Sequence, residues 1–283
     1  MSALVMVLIC VSLWALIPVV SKLGQVSLDN HQFLFWSSLV STIGLTIPLI
    51  PRWKSLKKYG LKDYTYMIFL GFLGTYFYYI LLYYAYANTR GIEVLILQYS
   101  WPLFTMLLSI LILKERLNIR RSIAGFLGFL AVVLVITGGK PGEIYVSNVR
   151  VDLIVIFAAF VFALFSVLSK GVRYDPFVLL FVYFGSATIF SFFSMLIFSE
   201  AALPGGNTWI PVIVNGLLVN GYSYLFWILA LKRADASYVA PFVFLTPILS
   251  TFYLVVFMRE RLSPIYGLSL SLIIISGILN SKS

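Results

Sequence analysis

The sequence predicts an all-α integral membrane protein, with ten transmembrane helices arranged as two five-helix repeats of inverted topology. Three observations predict it. Of 283 residues, 61% are apolar and only 11% charged, with a mean hydropathy of +1.00; a soluble domain carries about 25% charged residues. The apolar residues gather into runs that match the roughly 20 helical residues needed to cross about 30 Å of hydrocarbon. The second half of the chain also repeats landmarks of the first. So few charges leave no water-facing surface for a soluble enzyme or a nucleic-acid-binding module. The expected surroundings are therefore a lipid bilayer, and nucleic acid is not an expected partner.

Taken in order, the runs fall at roughly 2–22, 31–50, 64–87, 92–113, 121–138, 152–170, 176–198, 209–231, 236–258 and 264–280. The first is read as a span and not a signal peptide, because no basic stretch precedes it and it exceeds the usual apolar length. Pro51-Arg52-Trp53-Lys54 closes the second run, and Gly138-Gly139-Lys140-Pro141-Gly142 closes the fifth. Pro176, Pro211 and Pro264 stand near helix starts, where a missing N–H costs nothing. The connections are short, so a single membrane domain is expected, with residues 1–140 forming one repeat and 150–283 the other.

An even number of spans places both termini on one side. Fourteen of the twenty basic residues fall on that side: Arg52 through Lys62, Lys114 through Arg121, Lys170, Arg173, Lys232, Arg233 and Lys282. By the positive-inside rule that side is cytoplasmic, which predicts a plasma-membrane protein with both termini inside.

The repeat shows in spacing. Pro102 stands twelve residues before Lys114-Glu115-Arg116-Leu117, and Pro247 twelve before Arg259-Glu260-Arg261-Leu262, an offset of 145. The same offset pairs Ala85 with Ala230 and Tyr79 with Tyr224, while Ser21-Lys22 matches Ser169-Lys170 at 148. Shared turn chemistry alone does not produce one nearly constant offset. Five spans per copy is odd, so the second copy enters the bilayer from the opposite face. That is the inverted-repeat plan of secondary transporters, whose halves can exchange conformations.

Several of these residues resemble a known family. Trp14-Ala15 with Ser21-Lys22, Tyr84-Ala85-Tyr86-Ala87, Gln98-Tyr99-Ser100-Trp101-Pro102 and the Lys114-Glu115-Arg116-Leu117 turn are similar to the drug/metabolite transporter superfamily, EamA-like branch. The resemblance covers the whole chain. The family usually carries glycine after the first-helix tryptophan, where this chain has Ala15. The resemblance implies a ten-helix exporter. Gln98 through Pro102 look most like the exporters of aromatic and other neutral amino acids.

Helical spacing nominates the site. In the third helix Tyr76, Tyr79, Tyr83 and Tyr86 form one stripe, and the eighth offers Asn220, Tyr224 and Trp227. The fourth carries Gln98, Trp101, Thr105 and Ser109 on one face; the ninth carries Thr246, Ser250 and Tyr253. The substrate-binding set is Tyr79, Tyr83, Gln98, Trp101, Asn220, Tyr224 and Thr246, with core packing as the competing reading for each. Ser37, Ser41, Ser191 and Ser194 are read as helix-packing or back-bonding residues. Pro18, Pro102 and Pro247 are expected to kink their helices, as static bends or as hinges that gate the site. Glu93 is read as an interfacial partner of Arg90 or a proton-coupling carboxylate. Lys22 is read as a snorkelling cation, for which the resemblance implies a place near the transport path.

Cys10 and His31 are the only residues of their types, so no metal centre and no cofactor is expected. The expected function is a secondary transporter, not an enzyme, exporting small neutral metabolites by alternating access. Hydrophobic or aromatic amino acids are the expected small-molecule substrates. The alternatives are a passive facilitator or channel and, further off, a lipid-modifying membrane enzyme. Ala124-x-x-x-Gly128 permits helix association, and the oligomeric state stays open, a monomer included.

Overall fold

Helices account for nearly all of the chain in a computed structural model, which describes residues 1–89, 91–116, 118–137, 139, 140, 142, 148–258 and 265–281. The helices are α1 Ala3–Trp14, α2 Ile17–Gly24, α3 Asn30–Leu49, α4 Leu61–Gly71, α5 Tyr78–Asn88, α6 Gly91–Gln98, α7 Trp101–Leu113 and α8 Ile119–Ile136. They continue as α9 Val149–Gly171, α10 Pro176–Phe198, α11 Trp209–Val214, α12 Ser223–Leu231, α13 Ala236–Val239, α14 Thr246–Met258 and α15 Ile265–Ser281. No strand occurs among the described residues.

Local chemistry sets the starts. Ser2 accepts from the Val5 N–H at the head of α1, and Asn148 does so for Val151 at the head of α9. Asp29 builds a capping box with Gln32 on α3, and Asp175 caps α10, whose first residue is Pro176. Lys114 ends α7 in the left-handed region, φ 56°.

Among the described residues, seven helical stretches are long and apolar enough to cross a bilayer: Ala3–Ser21, Asn30–Lys58, Leu61–Leu82, Ile96–Leu113, Val149–Gly171, Pro176–Phe198 and Gly206–Leu231. Ala236–Ser250 and Gly267–Asn280 are apolar but shorter. The protein is thus a multi-pass helical membrane protein, with seven stretches meeting the length and hydropathy of a span where the sequence predicts ten. Its outer surface carries large apolar side chains such as Leu111, Phe193, Ile197 and Phe257, as lipid contact requires.

Five irregularities shape the centre. The α4–α5 rod passes through a π-helical segment, Phe72–Phe77, and the α11–α12 rod through another, Asn215–Tyr222. Helix continuity breaks between α6 and α7, and α13 reaches α14 through a 3-10 segment, Ala240–Leu245. A further break separates α1 from α2. Pro18, Pro102 and Pro247 each stand second in the helix that restarts after a break or the 3-10 segment. That is a position where a proline's missing N–H costs little.

The two ends of the chain interleave. Helix α1 packs on α12, α5 and α7 on α9, α2 on α14, α3 on α10 and α8 on α15. Glycine permits two close approaches. A Cβ on Gly71 would lie 2.7 Å from Tyr183 Cα, and one on Gly216 would lie 2.7 Å from the Ser37 carbonyl oxygen. Ser41 Oγ exploits the second approach by donating to the Gly216 carbonyl at 2.8 Å. Ser37 and Ser41 also bond back to the carbonyls four residues earlier.

Candidate functional site

The breaks and π segments surround a central cavity of about 400 Å³, counting its part open to solvent. Its walls come from α1 and α2 (Trp14, Ile17), α5 (Tyr78, Tyr79), the α6–α7 junction (Gln98, Tyr99, Trp101), α9 (Phe162), α12 (Tyr224) and the approach to α14 (Val243, Thr246). Gln98 and Trp101, three residues apart across the α6–α7 junction, both reach the same space.

The walls are mostly aromatic. Trp14 meets Trp101 edge to face at 6.0 Å, Tyr224 at 5.7 Å and Phe162 at 6.3 Å. Trp101 meets Phe162 at 4.8 Å and Trp227 at 5.4 Å. Such ring pairs add about 0.5–1.5 kcal/mol each beyond area burial, so the box is stiff. The Tyr79 and Tyr224 hydroxyls share a hydrogen bond at 3.1 Å. Two polar atoms have no partner: Gln98 Oε1 and Thr246 Oγ are buried and unbonded. An unmet buried polar atom is destabilising by about 1–3 kcal/mol, and a ligand's complementary group would relieve it.

A second chamber of about 280 Å³ adjoins the first. Ile17 and Tyr79 line both, and Ser21, Leu34, Asn215, Val219 and Asn220 complete the second. Among the described residues, neither space is lined by an Asp, Glu, Lys, Arg or His. Among the described residues no cluster of His, Cys, Asp or Glu could hold a metal ion.

Of the residues nominated by sequence, Tyr79, Gln98, Trp101, Tyr224 and Thr246 meet around the central cavity. Asn220 lies in the adjoining chamber, with Tyr79 between. Tyr76 leaves the stripe: the π segment turns it toward Phe72 and Phe190, at 5.6 and 5.5 Å. The side chains of Tyr83, Glu93, Lys22 and Pro18 lie outside the described residues, as do Arg90 and the Arg259–Leu262 turn. Sequence reasoning missed Ile17, Tyr78, Phe162, Val243 and Asn215. Trp14 and Tyr99 entered only through the family resemblance. For Phe162 a signal existed, since it stands 148 residues after Trp14, the offset of the Ser-Lys pair.

One face of the bundle is bound shut by a polar cluster. Glu115 Oε1 accepts the Ala236 N–H at 2.7 Å and lies 3.0 Å from Lys170 Nζ. Its Oε2 accepts the N–H and hydroxyl of Ser237 at 3.0 and 2.7 Å. Lys170 also donates to the Ala234 carbonyl, and Arg121 pairs with Asp235 at 2.8 Å. Burial would raise the Glu115 pKa, but the Ser237 and Ala236 donors and the Lys170 charge outweigh it and hold the carboxyl below its usual range.

The fold is a lipid-facing helical bundle around a largely aromatic cavity. The chain belongs to the EamA-like transporter family, which it matches over residues 1–137 and 149–282. It is 24% identical over 257 residues to an uncharacterized transporter of Archaeoglobus fulgidus, covering 88% of this chain and 86% of that one. It is 26% identical over 166 residues to the aromatic amino acid exporter YddG of Ancylobacter novellus, covering 58% of each. A solved crystal structure shares its fold at a TM-score of 0.89 and 19% identity, over 99% of this chain and 96% of the other.

Proposed function

We propose that this chain exports small neutral solutes, hydrophobic or aromatic amino acids, by alternating access through the central cavity. The observation that carries the reading is the cavity itself: an aromatic box without fixed charge, holding two unmet polar atoms. Rings accommodate the apolar part of a solute, while Gln98 and Thr246 bond its polar groups. A phosphorylated solute would need Arg or Lys at this depth. The name of the YddG relative agrees with an aromatic amino acid as cargo.

Alternating access rests on the reading of two inverted halves, in which α8 and the two shorter apolar helices complete ten spans. Several contacts support it. Tyr79 and Tyr224, 145 residues apart, touch each other; so do Thr42 and Thr188, 146 apart, through hydroxyls at 3.0 Å. Gly71 and Gly216 are the close approaches of their halves, again 145 apart. Both π segments precede the paired tyrosines. Residues that are equivalent in sequence and adjacent in space lie on an axis relating the halves, and the cavity lies on it too. On this reading the Glu115 face is the cytoplasmic one, closed here.

The test is counterflow into liposomes holding purified protein and unlabelled L-tryptophan. Saturable uptake of labelled L-tryptophan, reduced in folded Tyr79→Ala, Gln98→Ala and Trp101→Ala variants, supports the reading. Absence of saturable counterflow for tryptophan, phenylalanine and leucine overturns it, and normal flux in all three variants removes the site.

A further inference from the structure

The second chamber contains two buried amides that the fold itself does not use. Asn215 and Asn220 are 7% and 4% exposed, and neither side chain has a hydrogen-bond partner among the described residues. Five residues on an α-helix turn about 140° away from each other. In the Asn215–Tyr222 segment the ladder runs i→i+5, which brings Asn215 and Asn220 one above the other on a single face. Ser21, from α2, lines the same space.

The place that the repeat makes equivalent, which like the chamber draws on both halves, is built differently. There the positions of Asn215 and Asn220 are taken by Leu70 and Thr75, 145 residues earlier. The Thr75 hydroxyl donates to the carbonyls of Gly71 and Tyr183, at 2.6 and 3.1 Å. Ser169, the counterpart of Ser21, bonds the Tyr183 hydroxyl at 2.8 Å. Phe165, the counterpart of Ile17, and Tyr183 are fully buried. This place satisfies its polar groups internally, whereas the Ser21–Asn215–Asn220 place leaves two amides facing a chamber.

We infer that the Ser21–Asn215–Asn220 chamber binds the ammonium–carboxylate head of a zwitterionic solute whose apolar part lies among the rings of the adjoining cavity. Amide N–H groups donate to the carboxylate, and amide oxygens accept from the ammonium. Uncharged amides serve both poles; a fixed charge would repel one of them. Ile17 and Tyr79 form the wall shared by the two spaces, so a solute that spans them passes beside Tyr79. Gln98 and Thr246 then meet a polar group at its other end, which favours ring systems bearing an N–H or O–H. This inference rests on the proposed transport of amino acids.

Counterflow of labelled L-tryptophan tests it, with unlabelled L-tryptophan, tryptamine (no carboxylate) and indole-3-propionate (no ammonium) as competitors. In the wild type both truncated compounds should compete at least about tenfold more weakly than L-tryptophan, the effect of losing a charge-assisted hydrogen bond. In Asn215→Leu and Asn220→Thr, which install residues the fold already holds at the equivalent positions, half-saturation for L-tryptophan should rise about tenfold. The gap between tryptophan and tryptamine should shrink to under about threefold, a change that a merely structural role would not make. Unchanged discrimination in folded variants overturns the inference while leaving transport standing. Equal competition by all three compounds in the wild type overturns it without any variant. Absent wild-type counterflow overturns the transport reading and this one with it.

Discussion

Glu115→Gln should loosen the closed face. The carboxylate serves four groups at once: two N–H donors, the Ser237 hydroxyl and the Lys170 ammonium. A glutamine keeps one acceptor oxygen, turns an NH₂ toward donors and leaves Lys170 without its counter-charge. Removing one partner of a buried pair is destabilising by about 3–5 kcal/mol. Lys170 retains the Ala234 carbonyl and some solvent contact, its side chain being 18% exposed, so the lower end of the range applies. About 3 kcal/mol is a factor of roughly 150 in the equilibrium between closed and open at this face. The assay is maleimide labelling of Thr75→Cys, now 1% exposed, in a background where the buried Cys10 is replaced by alanine. Labelling should accelerate by about tenfold or more, within that ceiling. An unchanged rate with an unchanged unfolding temperature would show that the cluster holds nothing closed. The pH dependence has a definite sign. A carboxyl whose folded pKa is depressed contributes fully above its ordinary value of 4.5 and loses that contribution as pH falls through the folded value. Acid below about 4.5 should therefore mimic Glu115→Gln, and neutral to mildly alkaline pH should leave the latch intact.

Three further outcomes follow from the geometry. Tyr79→Phe removes one hydroxyl of the 3.1 Å pair with Tyr224; stability should fall by only about 1 kcal/mol, while the tryptophan flux in liposomes drops. Gly216→Ala drives a Cβ toward the Ser37 carbonyl and Val40, at 2.7 and 2.6 Å, and should lower the unfolding temperature through about 1–3 kcal/mol of overpacking. Gly205→Ala, with nothing within 4 Å, is its neutral control in the same melt. Thr246→Val deletes a buried hydroxyl that has no partner, so the unliganded protein should melt at the same or a higher temperature even as the half-saturation concentration rises. A lower melting temperature with unchanged transport would mean that the hydroxyl serves the fold and not the solute.

What could be read from sequence was what α-helical periodicity and a constant offset preserve. Tyr79 and Tyr224 carry both signals, and they meet. The apolar runs carry length, so the order of helices was legible. Asn215 carried neither signal: α-helical spacing puts it on another face from Asn220, and only the i→i+5 ladder reunites them. Phe162 sits in α9, an uninterrupted apolar helix with no contrast to mark a cavity face. Glu115 was visible as turn chemistry, but the groups it binds lie 121 and 122 residues away, beyond any local pattern. The prolines were legible as breakers, yet their sequence does not say whether a helix bends around them or restarts at them.

The remaining step concerns why a frame with paired landmarks should be chemically unequal. Tyr79 with Tyr224, Gly71 with Gly216 and the two π segments place like geometry at matching points in both halves. Beside them, one of the two equivalent places has Phe165, Tyr183 and Thr75, with the Thr75 and Tyr183 hydroxyls bonded; the other has Ile17, Ser21, Asn215 and Asn220 around a chamber. On the proposed alternating access, like geometry lets the two closed states differ little in backbone energy. Unlike side chains then make the solute's interactions differ between those states, and only such a difference lets binding bias an equilibrium. The amides therefore belong to the place whose packing does not use them.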